Sequence, residues 1–166
     1  MMDTFARLIG TVFYVGYLRP APGTWGSLAA LPMAWLIYSI GGLWLFLLAI
    51  PVAYVKGYLA TIYMTSGTDD HDPSEIVIDE VVGQWIAVAP VLVGATIRDV
   101  NVLSLWPGWI AAFLLFRLYD ITKPGPVGWA DRKNNATGVM LDDVIAGIFA
   151  AICVMGLAGI AHGMIM

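Results

Sequence analysis

The chain has 166 residues, of which 60% are hydrophobic and only 12% charged, and its formal net charge is −4. Because soluble domains carry charges on about 25% of their residues, this composition, with a mean hydropathy of +0.81, excludes an ordinary soluble protein and indicates an integral membrane protein. The eight lysines and arginines form no basic stripe, which argues against nucleic-acid binding. The single cysteine, Cys153, excludes an intrachain disulfide.

The predicted elements follow one another along the chain as apolar runs. Residues 1–18 are aromatic-rich and weakly amphipathic, typical of a helix lying at the membrane interface, and residues 19–27 form a loop rich in proline and glycine. The apolar runs occupy residues 26–40, 43–65, 76–97, 106–121 and 139–161. A helix needs about 20 residues to cross a hydrocarbon core of about 30 Å, so three runs span easily, whereas the first and fourth are short and could be tilted or re-entrant. We predict an all-α, polytopic membrane protein, a single domain over residues 1–166, with about five apolar helices and an N-terminal interfacial helix.

Basic and acidic residues both concentrate at one end of this predicted bundle. If the five runs cross back and forth, residues 1–25, 66–75 and 122–138 share one side of the membrane. When residues at the ends of the runs are counted with the adjoining segments, the basic residues on that side are Arg7, Arg19, Arg117, Lys123, Arg132 and Lys133. Because positively charged loops stay in the cytoplasm, we predict that this side is cytoplasmic. The acids on the same side are Asp3, Asp69, Asp70, Asp72, Glu75, Asp79, Glu80, Asp120, Asp131, Asp142 and Asp143, and only Asp99 lies opposite.

Two acidic pairs lie inside apolar runs. Asp79 and Glu80 interrupt the stretch "IVIDEVVGQW", and Asp142 and Asp143 lie at the start of the fifth run. One interpretation is that the carboxylates cap helix N-termini, where the helix dipole favours them. However, ionisable groups inside a spanning segment are costly and usually functional, and four carboxylates in proximity repel one another. We therefore favour a site for a divalent cation, and all-oxygen ligation suits Mg²⁺, Mn²⁺ or Ca²⁺ rather than zinc or copper.

Small residues behind the acids indicate that the third and fifth runs pack closely. The residues concerned are Gly83, Ala87, Ala146, Gly147, Ala150 and Ala151. Small residues at four-residue spacing allow membrane helices to approach each other.

The segment "RLYDITKPGPVGWADRK" (117–133) combines a stiff loop with donors for an anion. The donors are Arg117, Lys123, Arg132 and Lys133, which suit phosphate or an anionic headgroup. The alternative is a positive-inside anchor with Trp129 at the interface. That alternative explains Lys133 but leaves the interleaved Asp120 and Asp131 unexplained.

Two further features suggest anion binding. In "PGTWGS", Thr24 and Ser27 offer hydroxyls beside free backbone N–H groups at a helix start, although either residue could simply cap the helix. Lys56 lies in the middle of the second run, where it could snorkel to the interface, pair with an acid or contact an anionic ligand. Carboxylates for a metal and bases for an anion at lipid level together indicate a metal-dependent reaction on a phosphorylated lipid.

Four blocks of the sequence resemble phosphatidylglycerophosphatase A, a bacterial family of membrane lipid phosphatases. They are "RPAPGTWGSLAA", "DDHDPSEIVIDEVVGQWIA", "FRLYDITKPGPVGWADR" and "GVMLDDVIAG". The resemblance implies a helical, Mg²⁺-dependent enzyme of the bacterial inner membrane that removes the terminal phosphate of phosphatidylglycerophosphate to give phosphatidylglycerol. By matching blocks, the family's site residues correspond to Asp79, Glu80, Asp120, Lys123, Pro124, Asp131, Arg132, Asp142 and Asp143, with Tyr119 where phenylalanine is commoner.

On this resemblance we predict roles for the residues. Asp79, Glu80, Asp142 and Asp143 would hold Mg²⁺, and Lys123 and Arg132 would neutralise charge on the phosphoryl oxygens. Asp120 or Asp131 would be a general base or a further ligand, and both attack by water and an aspartyl-phosphate intermediate stay open. The alternatives are a divalent-cation carrier or channel, a CDP-alcohol phosphotransferase and an accessory subunit that binds anionic lipid. The oligomeric state is not predicted.

Overall fold

The structure is a computed structural model that describes residues 2–68, 70 and 72–163. Asp69 and the side chain of Asp3, two of the acids counted above, therefore lie outside the description. The described residues form helices and no strands. The helices are α1 (Met2–Gly10), α2 (Pro22–Thr65), α3 (Ile78–Arg98), α4 (Trp106–Thr122), α5 (Pro126–Asp131) and α6 (Ala136–Gly163), with 3₁₀ turns at Val15–Tyr17 and Val102–Leu105.

Helix α2 is a hairpin of two arms rather than one continuous rod. Gly41 and Gly42 leave helical geometry, and Gly42 adopts φ 66° and ψ −165°, a region that essentially only glycine occupies. The first arm (22–40) runs alongside α3, because Trp85 Nε1 donates a hydrogen bond of 2.9 Å to the Ala30 carbonyl and the hydroxyls of Tyr38 and Thr96 share one of 2.7 Å. The second arm (43–65) returns along the same helix.

The predicted number of apolar helices is confirmed. Four helical stretches are long and apolar enough to cross a membrane: α2, α3, Val102–Thr122 and α6. Helix α2 contains two of the five predicted runs, one in each arm. The first run therefore lies alongside most of α3 and is not a re-entrant segment that returns to the same side of the membrane.

Helix α3 lies at the centre of the bundle. It packs against α2, α4 and α6, and Val81, Val82, Val88 and Leu92 are buried on it. The outer faces of the other helices remain apolar, and Trp44 in the α2 hairpin is 82% exposed. Association of helices in lipid depends on close packing and interhelical hydrogen bonds rather than on exclusion of water, so the small residues at the interfaces matter for stability.

The backbones of α3 and α6 approach each other closely where the two helices cross. A Cβ atom on Gly147 would lie 2.4 Å from the carbonyl oxygen of Gly83, and one on Gly83 would lie 2.7 Å from the carbonyl oxygen of Asp143. Ala87, Ala146 and Ala150 are also fully buried. The predicted small-residue interface is confirmed, and it lies one helical turn from each acidic pair.

One end of the bundle brings several chain segments together, and we call it the site end. There α2, α3 and α6 begin and α4 ends. The N-terminal helix α1 docks at this end, since the Gly10 carbonyl accepts a hydrogen bond of 2.8 Å from the backbone N–H of Val77. Phe5 and Phe13 stay exposed, as the prediction of an interfacial helix requires. The short helix α5 lies in the connection between α4 and α6.

Candidate metal and phosphate site

A cavity of about 250 Å³ opens at the site end. Its described lining residues are Ala21, Pro22, Gly23, Asp72, Ser74, Ile76, Asp79, Glu80, Arg117, Asp120, Lys123, Val139, Asp142 and Asp143. These residues come from the start of α2, the segment before α3, and helices α3, α4 and α6. Both acidic pairs therefore line one cavity, although more than 60 residues of sequence separate them.

Asp79, Glu80 and Asp143 form a compact carboxylate cluster. Each offers one oxygen atom, and the three atoms lie within 4.8 Å of one another. Asp79 and Asp143 are buried, and Glu80 Oε2 is buried without a hydrogen-bond partner among the described residues. Like charges at this spacing repel strongly away from water, and hard oxygen donors suit a hard divalent cation. The donor set therefore fits a magnesium-like ion.

Helix capping does not account for the acids on α6. Asp79 and Glu80 belong to the first turn of α3, where the helix dipole stabilises carboxylates. Helix α6, however, begins at Ala136, so Asp142 and Asp143 lie nearly two turns inside it, beyond the reach of that effect. Each pair also shares a local bond, since the first aspartate accepts a hydrogen bond of 3.0 Å from the next residue's backbone N–H.

Asp142 has different partners from Asp143. Its Oδ2 accepts a hydrogen bond of 3.1 Å from Lys123 Nζ, and the same ammonium group is bonded to Asp131. Burial alone would lower the pKa of Lys123, but its bonds to Asp131 and Asp142 outweigh burial and hold that pKa above its ordinary value. Lys123 is therefore a fixed cation at the cavity wall.

The structure brings Arg117, which the sequence offered as one of four donors for an anion, into the cavity lining and adds Asp72 and Ser74. Arg117 forms an ion pair with Asp120, and its buried Nε has no hydrogen-bond partner in the described part of the chain. The i, i+3 spacing of this pair at the end of the fourth run was the available signal. Asp72 and Ser74 line the mouth, and surrounding protein raises the pKa of the Asp72 carboxyl while Lys123 partly offsets that rise.

Gly23 explains part of the "PGTWGS" block. A Cβ atom at this position would lie 2.1 Å from Glu80 Oε1 and 3.2 Å from Arg117 Nη1. The start of α2 therefore covers the carboxylate cluster at backbone distance. A side chain here would have to displace the Glu80 carboxylate, a constraint that sequence reasoning overlooked in favour of the neighbouring hydroxyls.

Four predicted phosphate ligands lie outside the lining of this cavity. Ser27 is buried and donates a hydrogen bond of 2.9 Å to the Gly23 carbonyl within α2, and Thr24 is half-buried one residue after Gly23. Lys56 lies on the exposed outer face of the second arm beside Val52, Val55 and Leu59. This position favours snorkelling over an ion pair. Arg132 is exposed at the end of α5. Their roles in binding phosphate stay predictions.

The fold and the site together define a helical integral membrane protein with a carboxylate cluster that could hold a metal ion, beside two cationic side chains. The family model for phosphatidylglycerophosphatase A matches residues 8–158. The chain belongs to the phosphatidylglycerophosphatase A family, whose members are phosphoric monoester hydrolases. The predicted family, enzyme class and helical membrane fold are confirmed.

Three relatives align over most of the chain. A phosphatidylglycerophosphatase A of Haemophilus influenzae is 37% identical over 91% of this chain and 87% of its own. A phosphatidylglycerophosphatase A of Escherichia coli is 33% identical over 87% of this chain and 78% of its own. A putative phosphatidylinositol-3-phosphatase of Bacteroides thetaiotaomicron is 36% identical over 89% of each chain. No solved structure matches the chain.

Proposed function

We propose that the protein hydrolyses the terminal phosphomonoester of phosphatidylglycerophosphate, giving phosphatidylglycerol and phosphate, and that the reaction requires Mg²⁺. Family membership and the names of two relatives support this substrate. The third relative is named for another phosphorylated lipid. A phosphomonoester at the membrane surface is common to both names, so the substrate headgroup is the part of the proposal that most needs a direct test.

The charge of the cavity carries the proposal. Among its described lining residues, six are carboxylates and two are cations, so the formal charge is 2 − 6 = −4. A phosphate dianion would be repelled from such a cavity in the absence of a further cation. A divalent ion at Asp79, Glu80 and Asp143 would both relieve the repulsion within the cluster and permit entry of the phosphate. Asp142, beside this cluster, is the fourth proposed ligand.

Different side chains of the cavity have different roles in the proposed phosphoryl transfer. When bound, Mg²⁺ would supply Lewis-acid polarisation of the phosphate. Lys123 and Arg117 direct N–H groups into the cavity, where they stabilise charge on the phosphoryl oxygens. Asp120 is available to accept a proton from the attacking water or to act as a further ligand. Asp131 holds Lys123 in place through its ion pair, and Arg132 adds positive charge nearby.

We propose that the protein lies in the bacterial inner membrane with the site end facing the cytoplasm. The basic residues collected at that end support this orientation. The position of the cavity also argues against a divalent-cation carrier. Asp99 is the only acid described at the opposite end, so a transported cation would have no acidic exit path.

The test is phosphate release from phosphatidylglycerophosphate by the detergent-purified protein, with Mg²⁺ and with EDTA. We expect release that depends on Mg²⁺ and is lost in Asp79→Asn. Asp99→Asn is the matched control, because it makes the same chemical change at the opposite end of the bundle and should leave activity intact. No release by folded wild-type protein with Mg²⁺ present would overturn the proposed function and direct attention to cation transport.

A further inference from the structure

Arg19 stands at the mouth of the cavity without being part of the carboxylate site. Its Nη1 donates a hydrogen bond of 3.1 Å to Ser74 Oγ, and Ser74 lines the cavity. In the chain, Arg19 precedes by two residues the Ala21–Gly23 segment that forms another part of the lining. The guanidinium is therefore bonded to one segment of the cavity rim, and its backbone leads directly into another.

Among the described residues, no carboxylate compensates the charge of Arg19. The side chain is exposed, and it forms no ion pair with any carboxylate in the described part of the chain. The two cations inside the cavity differ in this respect, because Arg117 is paired with Asp120 and Lys123 with Asp131 and Asp142. A second anionic group on a substrate would therefore find its available positive charge at the rim.

The proposed substrate has such a second group. Phosphatidylglycerophosphate carries a terminal phosphomonoester and, across a three-carbon glycerol, a phosphodiester that leads to the lipid. With the monoester at the carboxylate cluster, the diester points out through the mouth of the cavity. A guanidinium offers several donors in a planar fork that matches phosphate oxygens.

We propose that Arg19 binds the phosphodiester of the substrate and thereby selects lipids whose headgroup carries both phosphates. This inference rests on the proposed function. The hydrogen bond to Ser74 restrains the side chain at the rim. A lipid with a phosphomonoester but no diester, such as phosphatidic acid, makes no contact with Arg19.

The experiment compares Arg19→Gln with Arg7→Gln in purified protein of verified thermal stability. Arg7 is exposed on α1 at the same end of the bundle and lines a different cavity. Replacing it with glutamine removes one positive charge, so the variant loses as much attraction to an anionic membrane surface as Arg19→Gln does. KM and kcat are measured with phosphatidylglycerophosphate and with phosphatidic acid. Where phosphatidic acid turns over too slowly, its inhibition constant against phosphatidylglycerophosphate replaces KM.

In Arg19→Gln we expect the KM for phosphatidylglycerophosphate to rise about tenfold, because one charge-assisted hydrogen bond to the substrate is lost. The value of kcat should be nearly unchanged. In the same variant, the kinetic constants for phosphatidic acid should not change. Arg7→Gln should have the KM of wild type for both lipids, and Arg19→Lys should have a KM for phosphatidylglycerophosphate between those of wild type and Arg19→Gln. An unchanged KM in Arg19→Gln overturns the inference. An equal rise in KM for both lipids, or an equal rise in KM in Arg7→Gln, would also overturn it. Either result would indicate that the arginine acts through general attraction to an anionic surface. Inactive wild-type protein would instead count against the proposed function.

Discussion

Asp142 and Asp143 are identical in type and adjacent in sequence, yet the structure gives them different surroundings. Neighbouring residues on a helix point about 100° apart, so one side chain turns toward Lys123 and the other toward Asp79 and Glu80. The sequence predicted both as metal ligands, and both line the cavity. It did not separate them, because the helix rotation that decides between them is set by packing against α3.

This difference predicts unequal responses to removal of one charge. Asp143→Asn takes a carboxylate from the cluster itself, so we expect the rise in Tm on adding Mg²⁺ to disappear and phosphate release to fall at least about 100-fold. Asp142→Asn should keep part of the Mg²⁺-dependent rise in Tm, because the three clustered oxygens remain. Thermal unfolding with and without Mg²⁺ distinguishes the two variants. Equal loss of the Tm shift in both would contradict the assignment of ligands.

Gln84 is a buried polar residue that, unlike Asp142 and Asp143, lies outside the cavity lining. It is fully buried on α3, and neither amide atom has a hydrogen-bond partner among the described residues. An unsatisfied buried polar group costs about 1–3 kcal/mol. Replacement by the similarly shaped methionine removes the cost.

We therefore expect Gln84→Met to increase the free energy of unfolding by about 1 kcal/mol while leaving activity close to wild type. Unfolding in mixed micelles measures the first quantity, and phosphate release measures the second. If the variant is less stable than wild type, the Gln84 amide forms hydrogen bonds in the folded protein whose stabilisation exceeds the cost of burying it.

At the scale of elements, the crossing of α3 and α6 positions the acidic cluster. Gly83 and Gly147 each lie four residues after an acid, so contact between their backbones brings Asp79 and Asp143 toward one another. The small residues made this crossing predictable. The fifth apolar run was predicted to start at residue 139, whereas α6 begins at Ala136. The helix starts earlier because Asn135 Oδ1 accepts a hydrogen bond of 3.0 Å from the backbone N–H of Gly138 and so caps the first turn.

Gly147→Ala should destabilise the protein and reduce its activity. The added methyl group meets the Gly83 carbonyl oxygen at 2.4 Å, and since backbone atoms give way little, we expect a loss of about 1–3 kcal/mol and a displaced Asp143. Gly156→Ala is the control on the same helix, because a Cβ atom there meets open space. Because alanine is the better helix former, helix propensity alone would raise Tm in both variants. Tm and phosphate release should fall only in Gly147→Ala, and a parallel fall in Gly156→Ala would show that the helix crossing is not responsible.

At the scale of the whole molecule, sequence and structure agree on which end carries the site. Runs of apolar residues and the distribution of charges predicted five apolar helices and one acidic end, because both depend on simple periodicity and hydropathy. The depth of the cavity and the cover formed by Gly23 were not predictable in the same way. They arise from contacts between segments that no local pattern links.

The proposed orientation can be tested with two conservative substitutions in a Cys153→Ala background. Ser66 and Ser104 are both exposed, the first at the site end and the second in the 3₁₀ turn at the opposite end. A membrane-impermeant maleimide should label Ser104→Cys in intact spheroplasts and label Ser66→Cys only after permeabilisation. The reverse pattern would place the site outside the cytoplasm.

The tight turn at Gly41 and Gly42 has a consequence for access to the protein. At the end opposite the site, the described segments between spanning helices are only this turn and residues 99–105. In the proposed orientation, an extracellular protease or antibody would meet almost no folded surface. A drug directed at the catalytic cavity would have to permeate the bilayer first, and resistance could arise through exclusion of the compound without any change in the enzyme.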